Sequence, residues 1–173
     1  NELSTSIPET VPAQESAPAP TEEVTRPPLP TAQSVDPDRS DPKAVLLGLC
    51  QIVFSRDTLS EKSYSSSYQR AESLMTPQLQ ATLVQPPKAG MRPFPLWVQW
   101  QRSQAWIVGD CSIAADEHPA DTATSVSRVL RADEHPRTGG GAELDDETSA
   151  VWATATRTPK GWLVSRFDEQ RVP

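Results

Sequence analysis

The side chains best suited to chemistry lie in a repeated pentapeptide, Ala115-Asp-Glu-His-Pro119 and Ala132-Asp-Glu-His-Pro136. Both of the chain's histidines, His118 and His135, belong to it, each beside an Asp and a Glu. Imidazole among carboxylates is a donor set for a transition metal such as zinc. The spacing argues against a shared ion. A strand-like segment, Thr122–Ala132, separates the copies, and about ten extended residues at ~3.3 Å each place them roughly 30 Å apart, at opposite ends of one hairpin. Each copy alone offers one imidazole and two carboxylates in a polar turn, so neither a metal centre nor a cofactor is expected. Cys50 and Cys111 are the only cysteines. Without a Cys-x-x-Cys they do not suggest dithiol redox catalysis, and with both histidines in loops they do not suggest a Cys-His nucleophile. No Ser/His/Asp ordering, Gly-rich phosphate loop or basic-aromatic array is present.

Three further residues qualify as candidate acids or bases: Asp110 inside a strand-like run, and Tyr64 and Tyr68 at i, i+4 spacing. Asp110 shares its strand parity with Trp106 and Val108, opposite to Ile107, Cys111 and Ile113, and the pattern leaves open which face is the core. The tyrosine pair reads first as packing. Five tryptophans, Trp97, Trp100, Trp106, Trp152 and Trp162, crowd the second half of the chain. They fill a core or form an aromatic patch for a partner protein or lipid.

The elements that must position these groups are legible from hydrophobic period. Asp41 is an N-cap and Pro42 suits a first helical position, ahead of Ala44–Phe54, which is apolar nearly all round and so calls for burial on most faces. Tyr64, Tyr68, Ala71 and Leu74 or Met75 recur at helical spacing and predict a second helix. Thr76-Pro77 opens a third through Val84. Pro86, Pro87, Gly90, Pro93 and Pro95 predict a loop. From Leu96 the period moves towards two, with Trp97 and Trp100 at the start of the sheet. Strands are expected over Ala105–Ala114, Thr122–Ala132, Ser149–Thr158 and Trp162–Phe167, the last two joined by a tight turn at Pro159-Lys160-Gly161. A long loop is expected from Asp133 to Glu147. Helices followed by a run of strands read as α+β: N-terminal helices packed on a curved antiparallel sheet of about four strands.

Composition divides the chain. Its 173 residues are 36% hydrophobic with a formal charge of -7, and the mean hydropathy is -0.52. Residues 1–42 hold nine of the 18 prolines, no aromatic residue, no Gly, and eight acids against two bases. That composition cannot offset chain entropy and predicts a disordered, acidic, Pro-rich stalk over residues 1–41, ahead of a folded domain at 42–173. The acidic balance speaks against direct nucleic-acid binding. The longest apolar run, Ala44–Cys50, is too short to cross a bilayer. The chain opens on Asn, so it reads as a mature protein or a fragment, with any targeting or anchoring segment expected upstream.

Three local patterns resemble a known family. They are Arg70-Ala-Glu-Ser-Leu-Met-Thr-Pro-Gln-Leu79, Trp97-x-x-Trp100 followed by Ala105-Trp106, and a terminal strand pair with Lys160-Gly-Trp-Leu-Val164 at its turn. Together they are similar to the cone-shaped nuclear-transport-factor-2-like fold, over about residues 42–170. Within it they resemble extracytoplasmic domains of actinobacterial single-pass proteins. One such group is the bitopic scaffold component of type IV secretion and conjugation machines, including the TcpC-like proteins of Gram-positive conjugative elements. Another is the Mce-associated membrane proteins linked to lipid import. The resemblance implies a non-enzymatic assembly domain on the cell-wall side, tethered by an upstream membrane segment and working with other protein subunits, including a second copy of itself. It carries over no catalytic residue. In an extracytoplasmic domain, Cys50 and Cys111 form a disulfide if the helix lies on the sheet, or else remain two buried thiols. Enzymes on this fold, such as ketosteroid isomerase and the polyketide cyclases, need an acid or base facing the cavity, which keeps a small-ligand binder or enzyme as the third reading.

Overall fold

The computed structural model describes residues 12, 24–86 and 88–173. Five helices, α1 (Ala32–Val35), α2 (Pro42–Phe54), α3 (Ser67–Arg70), α4 (Pro77–Leu83) and α5 (Pro95–Arg102), accompany five strands. These are β1 (Arg56–Asp57), β2 (Trp106–Ile113), β3 (Ser125–Arg137), β4 (Glu147–Thr158) and β5 (Gly161–Arg171). The strands form one sheet in the order β1-β2-β3-β4-β5, every pair antiparallel. The fold is α+β with a curled, half-barrel sheet.

Helix α2 organises the core. The Asp41 carboxylate accepts from the Lys43 N–H at 3.0 Å, and Pro42 occupies the first turn. Val45, Leu46, Leu49, Cys50, Ile52, Val53 and Phe54 are all buried, as a helix apolar on nearly every side requires. Each large apolar side chain removed from water contributes about 1.5–3 kcal/mol. The helix lies across β2, β3, β4 and β5. Its partners are the alternate residues of those strands: Val126, Leu130 and Ala132 of β3, Val151, Ala153 and Ala155 of β4, and Val164 and Phe167 of β5. The opposite face of the sheet carries Asp110, Arg131, Trp152 and Arg166, exposed to solvent. Cys50 on α2 and Cys111 on β2 are joined by a disulfide with their Cα atoms 6.2 Å apart.

Gly109 fixes the angle at which α2 leaves the sheet. A Cβ there would stand 2.7 Å from the Phe54 carbonyl carbon, so only glycine admits this approach. The Ser55 hydroxyl accepts from the Gly109 N–H at 3.0 Å, and the chain then turns directly into β1.

Several expectations are corrected. The sheet has five strands rather than about four, because Arg56 and Asp57 pair with Ile107 and Trp106 as a short edge strand. Trp97 and Trp100 lie on helix α5, not at the start of the sheet: Pro95 opens the helix, and the two indoles, three residues apart, share its buried face. The second helix is broken into a 3-10 turn at Tyr64–Ser66, α3, and another 3-10 turn at Glu72–Leu74. Strand β3 runs on to Arg137, so the second Ala-Asp-Glu-His-Pro copy is strand and not loop. Proline is tolerated there because the ladder to β4 has ended at Glu134–Glu147, leaving Pro136 only a carbonyl to satisfy, which accepts from Leu144 at 3.0 Å.

The expected stalk over 1–41 falls for the most part outside the described residues. Its described end is packed onto the domain. Arg26 pairs with Asp57 at 2.7 Å, Ala32 is buried, and the Arg39 carbonyl accepts from Trp162 N–H at 2.8 Å. The ordered fold therefore begins ahead of Pro42.

Candidate functional site

Among the described residues the largest concentration of charge inside the fold lies at one end of the sheet, between the strands and the Tyr64–Arg70 segment. Arg56 enters from β1, Glu134 from β3, Glu147 from β4, and Glu169 and Arg171 from β5. Parity places them there: Glu134 continues the inward row of Leu130 and Ala132, while Glu169 and Arg171 continue that of Phe167. Gly109 pairs with Glu134, so the space that a side chain would fill at Gly109 is taken by the end of α2, which delivers Arg56 to the carboxylate.

Arg56 and Glu134 are both 0% exposed and pair at 2.5 Å between Nη1 and Oε2. The Arg56 Nε donates to the Tyr64 carbonyl at 3.0 Å, and its guanidinium carbon stands 3.6 Å from the centroid of the Tyr64 ring. Arg171 lies on the other side of Glu134, with Nη2 3.6 Å from Oε1, and pairs with Glu147 at 3.1 Å. It also donates to the Tyr64 hydroxyl at 3.3 Å. The Tyr68 hydroxyl donates to Glu169 Oε1 at 3.0 Å. Arg56 Nη2, Glu134 Oε1, Glu169 Oε2 and Ser67 Oγ are buried without a hydrogen-bond partner in the protein.

Burial pushes the Glu134 carboxyl above the usual range, and Arg56 and Arg171 only partly pull it back. Burial works against the charge on Arg56, but Tyr64, Glu134 and Glu169 hold it above its ordinary value, so it stays protonated. Tyr64 and Tyr68 are raised, foremost by burial, and remain neutral phenols. A buried carboxyl with a raised pKa is the kind of group that acid–base chemistry uses. Here its two oxygens face two guanidinium groups, the arrangement of a buried ion pair.

The sequence candidates lie elsewhere or play other parts. Asp110 is exposed on the outer face, so it is not placed for cavity chemistry. Tyr64 and Tyr68 do reach the cluster, as its aromatic wall. His118 sits in the loop after β2, near Arg128 and Asp121, while His135 lies on the outer face of β3 with Nδ1 3.1 Å from exposed Asp146. His135 pairs with Val108 near the start of β2, far along the ladder from the loop holding His118. Among the described residues no group of three or more His, Cys, Asp or Glu side chains could hold a metal ion. Trp97 and Trp100 pack with Ala105 and Ile107 in a small second core, and the Trp97 Nε1 donates to the Lys62 carbonyl at 3.2 Å. Trp162 belongs to the main core, Trp106 is buried on the outer face, and Trp152 is 40% exposed there.

Sequence reasoning missed Arg56, Glu134, Glu147, Glu169 and Arg171. The signal for Glu134 was its even parity with Leu130 and Ala132, hidden because Asp-Glu-His-Pro resembles a turn. Comparison with protein-family models, with characterised proteins and with solved structures gives no match.

Proposed function

We propose that this chain is a non-enzymatic assembly head, working through its surfaces in a membrane-anchored conjugation or type IV secretion apparatus on the cell-wall side. The observation that carries the non-catalytic part is the interior. The buried carboxylate stands between Arg56 and Arg171, and Glu169 holds a tyrosine hydroxyl, so the strongest acid–base candidates are engaged by the protein itself. The Cys50–Cys111 disulfide supports the extracytoplasmic part, since such bonds persist in oxidising compartments. No helix among the described residues is long and apolar enough to cross a membrane. The conjugation reading comes from the resemblance of the three local sequence patterns, and helices on a curled antiparallel sheet are the coarse architecture that resemblance implies. Partners on this reading are other protein subunits, with no direct nucleic-acid contact.

The test is genetic. Removing the chain should abolish cell-to-cell DNA transfer or secretion, and the Glu134→Gln chain, which keeps the shape and one acceptor oxygen but no acid, should restore it if it folds. If transfer is untouched and lipid uptake is lost instead, the chain is an accessory subunit of lipid import. A second reading, a small-ligand binder or enzyme, is favoured by the raised pKa of Glu134 and by the buried, unpartnered Arg56 Nη2 and Glu169 Oε2. A folded Glu134→Gln chain that fails to restore function would establish that reading in place of the first.

A further inference from the structure

Residues Val24–Pro30, Val-Thr-Arg-Pro-Pro-Leu-Pro, lie as a strap across the edge where β1 meets β2. Three prolines hold their φ near -65° and leave the strap few hydrogen-bond donors of its own, as in a polyproline II ligand. What holds it is a built socket. Arg26 Nη1 pairs with Asp57 Oδ1 at 2.7 Å, and Nη2 donates to the Gln104 carbonyl at 2.8 Å. The socket residues are also tied within the domain. Asp57 also accepts from the Leu59 N–H at 2.9 Å, and Gln104 adopts a left-handed φ of 53° that turns the backbone before Ala105. At the far end the Pro30 carbonyl accepts from Arg70 Nη1 at 2.7 Å. Between these clasps Pro27, Pro28, Leu29 and Pro30 share a cavity of about 170 Å³ with Trp106 and Val108. Trp106 is on the outer face of the sheet, yet only 6% exposed, whereas Val108 two residues on is 40% exposed. Arg137 stands over the indole at 5.9 Å, and the strap lies beside it.

An acidic socket next to a tryptophan and a shallow apolar trough is the way proline-rich segments are recognised. The strap itself is light: Pro27 and Pro28 are exposed and Leu29 and Pro30 half-buried, and it precedes every helix and strand of the described residues, so it can lift without disturbing the core. We propose that the Asp57–Trp106 groove is a docking site for an arginine-led proline-rich peptide on another chain, and that Arg26–Pro30 occupies it in cis as a competitor. The inference does not depend on the assembly reading above. Because a tethered ligand acts at a millimolar effective concentration, a partner peptide gains access only when it is itself locally concentrated or when the strap is displaced.

The probe is a synthetic peptide of the strap's own sequence, Val-Thr-Arg-Pro-Pro-Leu-Pro-Thr, titrated into the full chain and followed by the Trp106 indole N–H and the Gln104 and Ala105 amides in NMR. In the Arg26→Glu chain the strap should lift, shifting the Trp106 signal, and the peptide should bind at least about ten-fold tighter than to the unaltered chain. Adding Asp57→Ala should remove that binding, and a peptide with Ala for Arg should not bind. Three results would overturn the proposal: no saturable shift in the Arg26→Glu chain, equal binding with and without Asp57, or a Trp106 signal unmoved by Arg26→Glu. Should Arg26→Glu not fold, the unaltered chain at millimolar peptide decides alone, since competition should shift the same three signals and no others.

Discussion

Replacing Glu134 by Leu should be among the most damaging single changes in the protein. The substitution leaves Arg56, which is 0% exposed, without its carboxylate. A guanidinium cannot shed its proton to escape, so the whole cost of an uncompensated buried charge falls on the folded state, about 3–5 kcal/mol. Against a typical total of about 5–15 kcal/mol, that removes a large fraction of stability and lowers Tm by roughly 10 °C for a domain of this size. The double variant Arg56→Met/Glu134→Leu should recover to within about 1 kcal/mol of the original or exceed it, because two apolar side chains remove both desolvation penalties together. Glu134→Gln keeps one acceptor for Arg56 but not the negative charge, so it should cost less than Glu134→Leu, about 1–3 kcal/mol. The carboxyl of Glu134 is raised above 4.5, so folding favours its protonated form. The stability it contributes is present below about pH 4.5 and is lost as pH rises through the raised folded value. The Gln chain should lack that decline. Urea unfolding of the four chains between pH 4 and 8 measures every quantity. A Glu134→Leu cost under about 1 kcal/mol, or a double variant as damaged as the sum of the singles, would refute the buried-charge argument.

Other consequences follow from the same structure. The disulfide spans 61 residues, so Cys50→Ala/Cys111→Ala should lose about 4 kcal/mol in urea unfolding, and non-reduced protein should show no free thiol by mass spectrometry. Trp162→Ala, in the main core, should cost about 3–5 kcal/mol, whereas Trp152→Ala, 40% exposed, should cost far less and act, if at all, on partner binding. His118→Ala/His135→Ala should leave thermal stability within about 0.5 kcal/mol per site and bind no less metal than the original, since one ring lies in the loop after β2 beside Arg128 and Asp121 and the other far along β3 beside exposed Asp146.

How much of this was readable depends on where local and tertiary signals agree. Helix α2 was legible because its cap, its first-turn proline and its all-round apolar character point the same way, and α4 because Thr76-Pro77 does likewise. Strands β4 and β5 were legible from alternation and the turn at Gly161, whose φ of 94° the turn requires. The Tyr64–Met75 segment misled because helical spacing persists through 3-10 turns, whose residues also recur on one side every three positions. Trp97 and Trp100 misled because strand formers held at i, i+3 pack well on one helix face. The candidate site was almost wholly hidden. A glutamate within Asp-Glu-His-Pro looks solvated unless a cation waits inside the fold, and Arg56 gives no sign from sequence that α2 will end against Gly109 and turn it inward.

The N-terminal boundary shows the same logic from the opposite side. Composition made residues up to 41 look unable to fold, since they contain no aromatic side chain and many prolines. That argument concerns what a segment can bury by itself. The stretch from Val24 onward buries little of its own beyond Ala32, but it spends little entropy in docking, because its prolines are already restricted before they dock. The receiving surface supplies the rest: a carboxylate and a backbone carbonyl for Arg26, a guanidinium for the Pro30 carbonyl, and an aromatic ring beside the prolines. A proline-rich stretch with one well-placed arginine can therefore belong to a domain whose composition it does not share. The boundary between tail and fold is set by complementary groups on the folded part, not by the hydrophobicity of the segment that meets them.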